Sequence, residues 1–384
     1  MKVAVLGYGT VGAGVYSMLS DAPGMEAGPV LVRPGKAVES FMVSDAALIF
    51  GDPTVDAVVE TLGGLDPAYS YGMRALEAGK HFITANKAMV AAHGLELAAL
   101  AREKGAAFLF SAACGGGVPF LHNLALSAET DRIEAVSGIL NGTTNYMLDA
   151  MQRRSLSYGD ALREAQSLGY AESDPTADVS GLDALRKMQL ACAVAFGVLP
   201  QSGMLCEGME HFTAADVEDI QSRGLVCRLM ARGSRAGESV SAYVEPVLFP
   251  RAAPESSVFT NNNMARYTGK RCGSIVLMGQ GAGRFPTASA VLRDLSAAQQ
   301  GARSMFPKNC RAAEADNREA VHSYYIRPGG FAAVRLPLRS VLAQGEVVRA
   351  VTEPMSAEKM HALAQNIRKD GNDLFFAALE EELC

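Results

Sequence analysis

The first third of the chain alternates short apolar runs with stretches of helical periodicity. Residues 3–6 form an apolar run closed by Gly7, and residues 11–19 place apolar side chains at helical spacing. Residues 30–32 are a brief apolar run and residues 55–59 (VDAVV) a clearer one. A helix is predicted from Pro67 to about Ala78, closed by Gly79. Residues 81–84 are then strand-like, 87–104 helical and 107–110 strand-like again. Repeated βαβ units imply a parallel sheet covered on both faces. The pattern therefore predicts an α/β protein with a Rossmann-type doubly wound parallel sheet over residues 1–125.

From about residue 126 the pattern is mixed. Residues 133–140 are strand-like and helices are predicted near 143–153 and 158–168. A polar loop, 170–178, leads into an apolar helix ending near Gly197, and strand-like runs follow at 224–231, 239–247 and 274–278. Residues 126–295 read as a second, mixed α+β domain. Residues 296–319 are polar and Ala-rich, which suits a surface helix or linker packing back on the first domain. Residues 320–384 read as a small C-terminal α+β unit. It has strand-like runs at 323–328 (SYYIRP), 347–351 and 374–379, and a helix capped by Ser356 that runs to Lys369.

Composition narrows the function. The 384 residues are 49% hydrophobic, enough for two or three cores. The net charge of −6 and a pI near 5.6, without a Lys/Arg run, argue against a nucleic-acid partner. The longest apolar run, LACAVAFGVL at 190–199, is too short for a bilayer and reads as a buried helix, so no membrane is expected. The sequence MKVAVLGYG enters a strand at once, without the order of features of a secretion leader. Seven scattered cysteines without a CxxC pair fit no disulfide framework or thiolate zinc site, so a cytoplasmic location is expected.

Gly7-Tyr8-Gly9-Thr10-Val11-Gly12 is a G-x-G-x-x-G placed directly after the first strand and opening the first helix. Its glycines permit a tight turn, close approach of a pyrophosphate, and close helix–strand packing. An NAD site usually ends the second strand with a carboxylate for the ribose 2′-hydroxyl. Here that position reads Val32-Arg33-Pro34-Gly35-Lys36. Arg33 and Lys36 suit a 2′-phosphate, so NADP(H) is the preferred cofactor and NAD(H) the alternative.

Three further clusters carry candidate chemistry. The run NGTTNY at 141–146 lies at a strand-to-helix junction that could bind a carboxylate, or could be a simple cap by Thr143 or Thr144. Glu172, Asp174, Asp178 and Asp183 precede the apolar helix, and Asp183 and Lys187 are spaced i,i+4. Charges at the mouth of so apolar a helix are expected to line a cleft, where Lys187 could give a proton to a developing alkoxide. Lys87 follows a parallel strand at its carboxyl end, where open sheets bind ligands.

Taken together, these pieces resemble homoserine dehydrogenase. The matching segments are GYGTVG at 7–12, VVETLGG at 58–64, ITANKAMVA at 83–91, GGGVPFL at 115–121 and ILNGTTNYML at 139–148. GYAESDPTADVSGLDALRKM at 169–188 and GQGAGRFPTASAVLRDL at 279–295 complete an ordered set spanning about the first 300 residues. The resemblance implies reversible reduction of L-aspartate 4-semialdehyde to L-homoserine, a step of threonine, methionine and isoleucine biosynthesis. It implies Lys187 as general acid, Lys87 as its partner or alternative, and Asp183 as orienting group and hydroxyl ligand. Glu172 would hold the substrate ammonium, helped by Asp178, while Gly142, Thr143 and Tyr170 would meet the substrate backbone end. Leu62 and Gly63 would join the cofactor site, with Gly281 and Gly283 approaching from the second domain. A homodimer or larger homo-oligomer is also implied.

Two departures from the family stand out. Ser111 replaces the glutamate that in relatives helps hold a monovalent cation, Na⁺ or K⁺, beside backbone carbonyls matching Cys114, Gly116 and Val118. The C-terminal segment resembles a shortened ACT regulatory domain whose Gly329-Gly330 turn fits the usual ligand turn poorly. The first departure and the reduced tail leave a catalytically idle NADP(H)-binding sensor as one alternative. A thiol-dependent semialdehyde dehydrogenase using Cys114, with His122 as the nearby histidine, is another.

Overall fold

The computed structural model describes residues 1–329, 336–343 and 348–380. The chain opens with β1 (Lys2–Leu6), α1 (Thr10–Leu19), β2 (Glu26–Leu31), β3 (Met42–Val43), α2 (Ala47–Phe50) and β4 (Ala57–Glu60). It continues through α3 (Ala68–Glu77), β5 (His81–Thr84), α4 (Lys87–Lys104), β6 (Phe108–Leu109) and α5 (Phe120–Thr130). These strands pair in parallel in the order β3–β2–β1–β4–β5–β6. This is the doubly wound order, and its direction reverses between β1 and β4, where such sheets bind ligands at their carboxyl ends. Val3 to Leu6 and Ala57 to Val59 are fully buried, which is why these strands read as continuous apolar runs.

Helix α4 has the bounds that its periodicity predicts. The Asn86 side chain caps it by accepting from Met89 N, and Gly105 ends it in the left-handed conformation. Strand β2 starts earlier than its apolar run suggests. Glu26 and Ala27 already pair with Lys2 and Val3, and an irregularity follows before Val30 joins Val5. Gly28 and Pro29 hide that pairing from a reading based on hydrophobicity.

The middle of the chain runs β7 (Ile133–Ile139), α6 (Gly142–Arg154), α7 (Tyr158–Ser167), α8 (Thr176–Val179), α9 (Leu182–Phe196), β8 (Val198–Ser202) and β9 (Leu205–Cys206). Then come α10 (Ala214–Ser222), β10 (Leu225–Ala236), β11 (Ser239–Pro250), β12 (Asn262–Gly269), β13 (Gly273–Gln280) and α11 (Arg284–Gln299). The chain closes with β14 (Arg311–Glu314), β15 (Val321–His322), β16 (Tyr324–Pro328), β17 (Leu338–Ala343), β18 (Arg349–Thr352), β19 (Met355–Ser356), α12 (Ala357–Lys369) and β20 (Leu374–Leu379). A second sheet has the order β13–β12–β7–β10–β11–β20–β16–β18–β17, with β9 beside β11. Strand β12 escapes the sequence pattern because Arg266 interrupts it; that guanidinium is held 2.7 Å from Glu255.

Contacts divide the chain differently from the expected boundaries. One unit comprises Met1–Ile133, Gln189–Leu199 and Gly279–Arg311, and the other Glu134–Met188, Pro200–Met278 and Ala312–Cys384. Helix α11 thus joins the dinucleotide-type sheet rather than the 126–295 domain. A Cβ on Gly14 of α1 would lie 2.9 Å from the backbone of Arg284, so the two helices pack with almost no spacing. Of residues 296–319, only those up to 311 lie in this unit.

Residues 320–384 do not stand apart as a small unit. Strand β20 pairs in parallel with β11, Val247 against Ala378. Tyr324, Ile326 and Phe376 share one core with Met230, Val247 and Phe249. A segment of this size gains its apolar burial by extending a larger sheet. Gly330 of the expected turn and Val347 of an expected strand lie outside the described residues. Among the described residues, no helix is long and apolar enough to cross a membrane.

Candidate active site

The first unit carries a cradle for a dinucleotide. Gly7 adopts φ +99°, a conformation that favours glycine, and its N–H donates to Leu31 O at 3.0 Å. A Cβ at Gly12 would collide with the Gly7 carbonyl and sit 2.7 Å from Thr61 Oγ1, so α1 can close on the loop only with glycine there. Gly9 precedes α1 without any side-chain cap, and Thr10 and Val11 form the first turn. Uncapped amides at a helix N-terminus favour phosphate.

A pocket of about 680 Å³ opens beside this loop, lined by Gly7, Tyr8, Gly9, Thr61, Leu62 and the turn after β2. Arg33 and Lys36 both line it, brought together by a turn in which Lys36 N donates to Arg33 O at 3.0 Å. Leu62 reaches the pocket, whereas Gly63 is not among the lining residues; its N–H donates to Glu60 Oε1 instead, at 3.1 Å.

Lys87 is the half-buried first residue of α4. A cation in a helix's first turn opposes the helix dipole by about 0.3–1 kcal/mol, so helix stability does not explain it.

Gly281 and Gly283 belong to this same unit, not to the second domain. Their segment closes on the 115–117 loop: Gly117 N donates to Gln280 O at 3.0 Å, and a Cβ at Gly116 would meet Gly281 backbone at 2.5 Å. The hydroxyl and N–H of Ser111 both donate to Asp294 of α11, the N–H at 2.8 Å. Burial pushes the Asp294 carboxyl up to about 7, against the lowering effect of these hydrogen bonds. Ser111 is thus oriented by a carboxylate that sequence spacing could not assign to it. The Val118 carbonyl accepts from Phe120 N at 2.7 Å. Cys114 is completely buried, and burial of that kind bars a thiol from acting as nucleophile.

The second unit carries a lysine–carboxylate cluster. Lys187 Nζ lies 2.8 Å from Asp183 Oδ2 and donates to Leu140 O at 2.6 Å. Both side chains of the ion pair are about 12% exposed, so solvent screens it only weakly. Asn141 ties the cluster together. Its Nδ2 donates to Asp178 Oδ1 at 2.7 Å and to Asp183 Oδ2 at 2.9 Å. Its Oδ1 caps α6 by accepting from Thr144 N at 2.8 Å, so the cap is Asn141 rather than Thr143 or Thr144. Burial, and then the charge of Asp183, raise the Asp178 carboxyl above its ordinary range.

The Thr143 hydroxyl donates to Tyr170 O at 2.5 Å, which anchors the 170–178 segment. That hydroxyl's proton is therefore committed to the protein, while its oxygen can still accept and the α6 amides of Gly142 and Thr143 can donate to a ligand. A Cβ at Gly142 would lie 2.8 Å from Asn261 O. Glu172 is exposed, and Tyr170 is stacked at a tilt against Tyr146. Sequence reading marks Asn141 only as the start of a small polar run. Its bridging of residues 37 and 42 positions away has no local signature.

A doubly wound sheet with a phosphate-ready glycine loop, on a chain that also holds a desolvated lysine between acceptors, defines a nicotinamide-dependent oxidoreductase. Residues 7–111 match the family model described as homoserine dehydrogenase, NAD binding domain, and residues 119–296 the one described as homoserine dehydrogenase. The chain belongs to the homoserine dehydrogenase family. It is 37% identical over 319 residues to the homoserine dehydrogenase of Synechocystis, covering 77% of this chain and 72% of that one. It is 38% identical over 314 residues to that of Corynebacterium glutamicum, covering 76% and 70%. The homoserine dehydrogenase structure from Thiobacillus denitrificans superposes with a TM-score of 0.86 at 29% identity, over 99% of this chain and 98% of the other. The thiol reading of Cys114 gives way to this result.

Proposed function

We propose that this chain reduces L-aspartate 4-semialdehyde to L-homoserine through Lys187, with NADPH as the preferred reductant. The observation that carries the reading is the placement of the Lys187 ammonium between Asp183 Oδ2 and Leu140 O, at 2.8 and 2.6 Å. When bound, the nicotinamide supplies the hydride that turns the aldehyde carbon into an alcohol carbon. Lys187 gives its proton to the carbonyl oxygen as negative charge develops there, and recovers one from solvent. Asp183 keeps the ammonium charged and aimed, and meets the product hydroxyl. Lys87 is the partner cation.

Glu172 and Asp178 hold the substrate ammonium, and the first amides of α6, at Gly142 and Thr143, hold its carboxylate. Tyr170 borders the backbone end of the substrate. For the cofactor, Gly7, Gly9, Thr10, Val11 and Gly12 take the pyrophosphate, Leu62 forms the floor, and Gly281 and Gly283 close the loop region. Arg33 and Lys36 take the 2′-phosphate, since both cations line the pocket and no carboxylate does.

The carbonyls of Cys114, Gly116 and Val118 would hold a singly charged hard cation such as Na⁺ or K⁺, to which they would offer neutral oxygen donors. The family further supports a homodimer or larger homo-oligomer working in the cytoplasm.

The test is a spectrophotometric assay with aspartate semialdehyde, comparing NADPH and NADH side by side. Oxidation of NADPH with the higher kcat/KM is expected. Binding of NADPH with no turnover of either aspartate semialdehyde or homoserine would establish the idle sensor instead.

A further inference from the structure

Glu60 ends β4 in the middle of the parallel sheet, in register with Leu6 of β1 on one side and Thr84 of β5 on the other. It is completely buried, and burial raises its carboxyl above the ordinary range despite several hydrogen bonds that lower it. Its Oε1 accepts from Leu62 N at 2.6 Å and from Gly63 N at 3.1 Å. Its Oε2 accepts from Thr84 Oγ1 at 2.5 Å. The Thr84 hydroxyl in turn accepts from Asn86 N at 2.9 Å. Asn86 Nδ2 returns to the first loop by donating to Gly64 O at 2.6 Å, while Asn86 Oδ1 caps α4 through Met89 N.

These bonds form a closed ring through Glu60, residues 62–64, Asn86 and Thr84. The ring joins two loops at the carboxyl ends of neighbouring strands, one leading past Leu62 in the pocket wall and the other into Lys87. Among the described residues, the interactions that set the Glu60 carboxyl are burial and hydrogen bonds, with no cation among them. A buried carboxylate without a cation carries a desolvation cost that its hydrogen bonds must offset. What it does achieve is geometric, because one side chain satisfies three donors from two loops at once.

We propose that Glu60 is a positioning residue that fixes Lys87 and the 62–64 segment together, acting through Thr84 and Asn86. The proposal rests on the role given to Lys87 above. In Glu60→Gln the Thr84 hydroxyl must turn to accept from the new amide, and the charge-assisted bonds of the ring give way to weaker neutral ones. In Thr84→Val the hydroxyl that both donates and accepts is gone, whereas Thr84→Ser keeps it.

The proposal is tested by kinetics and by amide hydrogen exchange of the protein without cofactor. Thr84→Val should lower kcat at least tenfold, and Thr84→Ser should stay within about threefold of the unaltered protein. Combining Thr84→Val with Lys87→Ala should cost no more than Lys87→Ala alone. In Glu60→Gln, exchange should speed up at residues 62–64 and also at 86–89, although the two segments are far apart in sequence. If Lys87→Ala lowers kcat but the two losses multiply in the double variant, the positioning role is wrong and Lys87 keeps its own. If Lys87→Ala leaves kcat unchanged, the role of Lys87 falls, and the proposal with it. Faster exchange confined to residues 62–64 also overturns the proposal.

Discussion

Lys187 and Asp183 face each other one helical turn apart on α9, with Nζ 2.8 Å from Oδ2, at the point where the helix turns from charged to almost wholly apolar. Neither partner is a surface ornament, since exposed ion pairs contribute little and this one is nearly out of solvent. Replacing the ammonium should therefore show in turnover. Lys187→Ala is expected to lower kcat by at least two orders of magnitude, measured by NADPH oxidation with saturating aspartate semialdehyde. A rate near that of the unaltered protein would remove Lys187 from the proton path.

Glu172→Ala should act differently. The side chain is exposed, so folding stability should change by no more than about 0.5 kcal/mol. Loss of a ground-state contact should raise KM for homoserine with little change in kcat. An unchanged KM would assign the ammonium to other residues.

Asp178 adds a pH dependence to homoserine binding. Its carboxyl titrates above the usual range, mainly through burial, so it gains a proton at a pH where an exposed aspartate would still be ionised. A protonated Asp178 cannot attract the substrate ammonium. KM for homoserine is expected to climb as pH falls through this raised value, and the climb should vanish in Asp178→Asn. A pH-independent KM in the unaltered protein would contradict the role.

The cofactor preference can be read from Arg33. A hydrogen bond to a charged group contributes about 1.5–3 kcal/mol, so Arg33→Ala should weaken NADPH by roughly tenfold or more and leave NADH nearly untouched. Equal losses for both cofactors would overturn the preference for NADP(H).

Asp294 predicts a stability profile. Its carboxyl is raised to about 7 in the folded chain, so between about pH 4 and 7 the folded state holds a proton that the unfolded state has lost. Stability should fall as pH rises across that window, by at most roughly 4 kcal/mol from this group at about 1.4 kcal/mol per pH unit. Asp294→Asn should flatten the slope, because the Ser111 hydroxyl can turn to accept from the new amide. Urea unfolding at pH 4.5 and pH 7 checks this; an unaltered slope in the variant would place the titration elsewhere.

The local elements were largely legible in the sequence. Strand β5 and helix α4 have the predicted bounds because an apolar run and a capped, periodic helix are both written within a few residues. The glycine loop is equally local, since its turn and its packing contacts lie within one βα unit. Lys187 and Asp183 share a helix face, which four-residue spacing alone dictates.

Tertiary structure decided everything that depends on partners distant in sequence. It placed α11 against α1, extended the second sheet with the C-terminal strands, and gave Ser111 the carboxylate of Asp294. It also closed the ring of Glu60 with Thr84 and Asn86, and made Asn141 the bridge between two aspartates. Periodicity and capping act over one or two turns of chain, whereas a buried polar group is satisfied by whichever donor the folded backbone brings to it. That pairing is fixed only when distant segments have packed, so no window of sequence contains it.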